Sequence, residues 1–172
     1  MALLTILSFV IAFLGVFIYS YKNKELPKSV SSMVYELSDK KRWLWTAWIW
    51  SIFGLLMPPM LERTNGSDWQ FLCFLMTACF VFCGAYPLVN KEKNLAHYLL
   101  AYIGGIICFF VVKSINAWFL LTWGIWVFYS FALMAWNKKP WVVWLGCITL
   151  DKEVLLIEAN MMLSLYLCVL FG

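Results

Sequence analysis

Apolar runs of about twenty residues fill almost the whole chain, and lysines and arginines stand in the gaps between them. Runs of that length match the ~30 Å of hydrocarbon that a transmembrane helix must cross. Only 13% of the 172 residues are charged and 64% are hydrophobic, whereas a soluble domain carries ~25% charge. The expected fold is an all-α integral membrane protein, a polytopic bundle of about six transmembrane helices with one cytoplasmic interfacial amphipathic helix. Residues 1–172 then form a single transmembrane domain, with no stretch long enough for a soluble module.

The expected spans are 1–21, 43–61, 69–89, 95–112, 115–136 and 154–171. The first lacks a charged n-region and a small-x-small cleavage site, so it reads as a retained helix rather than a signal peptide. Between it and the second span, Val30, Met33, Val34 and Leu37 recur at i, i+3, i+4, i+7 behind Pro27. That is one apolar helical stripe, expected to lie at the interface over 27–38. Trp43, Trp45, Trp48 and Trp50 open the second span, where indole rings favour the headgroup level. Pro58-Pro59 should end or kink that span, and Lys113-Ser114 should form a tight turn between spans four and five. Ala101-x-x-x-Gly105 and Cys79-x-x-x-Cys83 offer small residues for close helix packing.

The last third of the chain has two readings. Residues 141–150 are too short to span and suit an interfacial or re-entrant piece before a sixth span. Alternatively 141–171 is one tilted helix about 46 Å long, which would bury Asp151 to Glu153 or have them line a cavity.

Charge fixes an expected orientation. Lys22, Lys24, Lys28, Lys40, Lys41, Arg42, Lys91, Lys93, Lys138, Lys139 and Lys152 fall in alternate gaps, against only Arg63 and Lys113 in the others. The positive-inside bias places the 22–42 loop in the cytoplasm and both termini outside. A bacterial cytoplasmic membrane is the expected location. The net charge of +4 suits anionic headgroups, and no basic patch stands on a polar scaffold as nucleic-acid binding would need.

Four acidic or basic side chains are functional candidates: Glu158, His97, Asp151 and Glu153. Glu158 falls inside the sixth span, where an ionised carboxylate is costly unless it is paired or faces water. Asp151 lies seven residues earlier, on the same helical face. Glu158 is either a proton or cation site or a carboxyl hydrogen-bonded between helices. His97 is the only histidine and sits in the first turn of span four beside Tyr98 and Tyr102. Its side chain can change charge near neutral pH, or it is simply an interfacial ring.

Other constellations are weaker. Ser29, Ser31 and Ser32 could join His97 and a carboxylate as a nucleophile set, but no strained nucleophile turn is present and helix capping accounts for serines here. Cys79, Cys83 and His97 lack the usual metal-ligand spacing, so no metal and no cofactor is expected. The six cysteines lie in or beside apolar runs and read as small buried hydrophobes. Asn65-Gly66-Ser67 matches a glycosylation acceptor and equally marks a turn. No reaction is expected of so thin a polar inventory. The favoured function is an accessory or lipid-contacting membrane component without turnover of its own, with membrane lipids and other membrane proteins as partners. The alternatives are a small proton- or cation-linked transporter using Glu158, and a membrane-embedded lipid-modifying enzyme.

Overall fold

The computed structural model describes residues 1–90, 95–124 and 153–172. Among these the chain is helical and forms no strand. The elements are α1 (Ala2–Asn23), α2 (Val30–Glu36), a 3-10 turn at Asp39–Lys41, α3 (Arg42–Arg63), α4 (Phe71–Val89), α5 (Leu95–Asn116), a second 3-10 turn at Ala117–Leu120, and α6 (Glu153–Phe171). Four stretches are long and apolar enough to cross a membrane: Ala2–Asn23, Asp39–Arg63, Phe71–Val89 and Leu95–Gly124. The apolar part of α6, Ile157–Phe171, is shorter. The expected fifth span is described only over its first residues, to Gly124, and the expected segment 141–150 lies outside the described residues.

Side-chain contacts set the direction of each helix. Trp48 of α3 donates to the Ile11 carbonyl of α1 at 2.7 Å, and Ser8 donates to the Ile52 carbonyl at 2.8 Å. The pairs 11 with 48 and 8 with 52 make α1 and α3 antiparallel. Thr46 to Gly84 O (2.8 Å) and Trp50 to Val81 O (3.0 Å) do the same for α3 and α4. Cys83 against His97 reverses the chain again into α5. On α6, Glu158 meets Val30 while Val169 meets Arg63, so α6 runs parallel to α3. The start of α1 and the end of α6 therefore share one end of the bundle, and α2 closes the other.

Two apolar clusters fill the interior. One joins α3, α4, α5 and α6 through Leu56, Met60, Met76, Cys108, Val111 and Leu165. The other lies toward α2 and joins Tyr19, Met33, Val34, Trp45, Ile49 and Phe53. Small residues set the closest approaches. A Cβ on Gly15 would lie 2.2 Å from the Trp48 ring, so this glycine is what lets α1 lie over the indole. Between α4 and α5 the close approach falls at Gly104, which faces Phe80 and the Cβ of Cys79. Gly105, expected in that role, faces Met161 of α6 instead at an ordinary contact distance.

One local expectation is corrected and two others are narrowed. Helix α5 runs straight through Lys113-Ser114 and stops at Asn116, whose extended backbone and side-chain bond to the Trp118 N–H start the next turn. A lysine in the last turn of a helix complements the dipole there rather than breaking the chain. Helix α3 likewise continues past Pro58-Pro59 to Arg63, with Leu56, Pro59 and Met60 buried along it. Of the four tryptophans assigned to the headgroup level, Trp45 is buried and Trp48 reaches inward to α1, while Trp43 is 58% exposed and Trp50 is also exposed. The N–H groups of Trp48 and Trp50 bond to helix carbonyls, the part-buried Trp48 to Ile11 and the exposed Trp50 to Val81.

Candidate functional site

The polar side chains singled out in the sequence gather around α2. Ser29 caps this helix: its hydroxyl accepts from Ser32 N–H at 2.9 Å, and Ser32 Oγ accepts from Ser29 N–H at 3.1 Å. This reciprocal pair satisfies two backbone donors that a helix start would leave open. Ser31 lies 3.1 Å from Ser29 Oγ. The three serines thus serve the start of the helix. The stripe read from the sequence faces the bundle, with Met33 and Val34 buried and Val30 and Leu37 packed alongside.

Three other helices hold α2 in place. From α6, Glu158 accepts a hydrogen bond from the Val30 N–H, and the Leu155 N–H donates to the Lys28 carbonyl at 3.2 Å. A carboxylate at the first N–H of a helix is favoured by the helix dipole as well as by the bond itself. From α1, the buried Tyr19 donates its hydroxyl proton to Glu36. From α5, His97 meets the Tyr35 ring edge-on at 5.6 Å.

His97 is 1% exposed and sits among rings and a thiol. Its Nδ1 lies 3.6 Å from Cys83 Sγ, and the rings of Tyr86 and Tyr98 lie at 6.1 and 6.0 Å. The pairing with Tyr98 is the neighbour visible in the sequence, whereas Tyr35, Cys83 and Tyr86 come from other elements. The Tyr35 hydroxyl is pushed up to about 12, first by burial and then by charge interactions with Cys83, Tyr86 and Tyr98, with Arg42 opposing them. Among the described residues no group of three or more metal-ligating side chains is present. Asp151 lies outside the described residues. Glu153 begins α6, and its side chain lies outside them too.

Several polar contacts carry no sequence signal of their own. In mid-bundle, Ser8 lies 2.8 Å from Tyr166 Oη. Since Ser8 gives its proton to the Ile52 carbonyl, Tyr166 must donate to it, and α1, α3 and α6 meet at one hydroxyl pair. At the end away from α2, Arg63 donates to the Val169 and Leu170 carbonyls at 2.9 and 3.0 Å, closing the C-terminus of α6. Comparison with known proteins finds no matching family model, no matching curated protein and no matching solved structure.

Proposed function

We propose that this is a six-span membrane protein acting as an accessory, lipid-contacting component without turnover of its own, with α2 lying at a cytoplasmic headgroup surface. The observation that carries the reading is the use made of Glu158. The most costly side chain in the apolar part of the chain accepts the first N–H of α2, which is work of a structural kind. The serines that a catalytic reading would need are engaged in the cap of the same helix. The end of α1 with Lys22 and the turn before α3 with Lys40 and Lys41 flank α2, as the positive-inside bias asks of a cytoplasmic side. A bacterial cytoplasmic membrane suits this arrangement.

One observation favours a second reading, a lipid-modifying enzyme. Helix α2 carries serines at the end that touches Glu158 and, one turn on, a tyrosine against His97 and Cys83. Reconstitution separates the readings. Purified protein in vesicles is expected to pass no proton or cation above protein-free vesicles and to leave the lipids chemically unchanged. A flux that Glu158→Gln abolishes would replace the accessory reading with transport. Lipid turnover lost in His97→Ala would replace it with catalysis.

A further inference from the structure

Arg42 begins α3 at the α2 end of the bundle, and among the described residues its guanidinium is only partly partnered. The residue is only 8% exposed. Its guanidinium reaches the Pro87 carbonyl through Nη1 and Asp39 through Nη2, both at 3.4 Å, while Nε has no acceptor among the described residues. Good hydrogen bonds of this kind lie at about 2.7–3.2 Å. A buried guanidinium needs acceptors on its whole edge, because its charge has left water. One turn along the same face, Trp45 is 5% exposed and its Nε1–H also has no acceptor among the described residues. Two residues that are more than nine-tenths buried, each with an unpartnered donor among the described residues, thus lie three positions apart at the start of α3. The helix start itself has no side-chain cap.

The approach to this place is basic and open. Asp39 is 55% exposed on its side chain, and Lys40 and Lys41 next to it are exposed. The exposed Trp43 follows them. The flanking segment adds exposed Lys22, Lys24 and Lys28.

We propose that Arg42, with the Trp45 N–H behind it, is a binding site for the phosphate of an anionic phospholipid headgroup, entered past Asp39. A guanidinium matches a phosphate with paired N–H donors, and the exposed lysines raise the local concentration of anionic lipid. Asp39 is the internal competitor: its carboxylate holds the outer edge of the guanidinium weakly and yields it to a phosphate. The inference rests on the reading that the lysine-rich end meets headgroups.

The test titrates short-chain phosphatidylglycerol, phosphatidylcholine of the same chain length and inorganic phosphate onto the full chain purified in neutral detergent. Wild type is expected to bind phosphatidylglycerol in preference, with inorganic phosphate a poor competitor. Arg42→Gln should weaken that binding on the order of tenfold, the scale of lost charge-assisted hydrogen bonds. Asp39→Asn should tighten it about threefold by removing the rival anion. Arg42→Lys should recover part of the loss, and Lys40→Gln with Lys41→Gln should weaken binding about fivefold or less. Asp39→Asn and Arg42→Lys keep the test decisive if Arg42→Gln does not fold. A preference for phosphatidylglycerol that all three Arg42 and Asp39 variants leave unchanged overturns the site and spares the reading of the lysine-rich end. No preference in wild type, with no effect of the lysine variants, overturns both. Equal binding of inorganic phosphate overturns the lipid as occupant.

Discussion

Helix α3 carries an arginine at each end, and the two are treated differently. Arg63 is exposed, yet it makes two hydrogen bonds of good length to the last carbonyls of α6. Arg42 is buried, yet its two contacts are long and its Nε has no acceptor among the described residues. An arginine at a helix C-terminus finds free carbonyls facing it, both on its own helix and on a parallel neighbour. An arginine at a helix N-terminus meets N–H groups instead, so it needs an acceptor from elsewhere. Arg63 therefore locks its end of the bundle, whereas among the described residues Arg42 is held only by two long contacts at the other end.

Substitution at the two arginines should show the contrast most strongly. Arg63→Met is expected to lower the unfolding free energy in mild detergent by about 1–2 kcal/mol, allowing for its exposure. Arg42→Met should cost less than about 1 kcal/mol, because it also removes a poorly compensated buried charge. Equal losses in a denaturant series would break the comparison.

At the α2 end, Glu158→Ala should release about 0.5–2 kcal/mol of local stability, the range for losing a helix N-terminal acceptor. Amide exchange over residues 28–36 should quicken while exchange near Arg63 stays as it was. Uniform quickening would mean that Glu158 supports the whole bundle rather than α2.

Alkaline pH should loosen the same end. Tyr35 titrates near 12 in the folded protein against an ordinary 10, so the unfolded chain loses this proton first as pH rises. The stabilisation is whole below pH 10 and fades between 10 and 12. Hydrogen exchange of α2 should follow that window in wild type and lose this component in Tyr35→Phe. The smallest effect is expected at the locked end. Thr64→Val removes the bond to the Met60 carbonyl, which the Thr64 N–H still serves, and the weak 3.5 Å contact with Cys73 Sγ, and should cost about 1 kcal/mol by thermal unfolding.

The difference between the ends also shows where reading the sequence works. The apolar runs, the stripe of α2 and the serine cap were legible because each is a local pattern with a local cause. Glu158 stood out as expensive in lipid, but its partner Val30 is 128 residues away and no spacing points to it. His97 was legible as a lone titratable ring, while Tyr35 and Cys83 reach it from other helices. Arg42 looked like one positive charge among six in its loop. Lys113 looked like a break because a lysine often marks one, yet a single cation at a helix end is comfortable inside the last turn.

What the sequence determined alone is an all-helical chain with helices long and apolar enough to cross a membrane, because hydrophobic length acts on each segment independently of the rest. What only the tertiary structure decided is which polar groups complete one another. A hydrogen bond needs its partners within about 3 Å, and that distance exists only after α1, α3, α5 and α6 have packed around α2, an arrangement that leaves Arg42 Nε without an acceptor among the described residues.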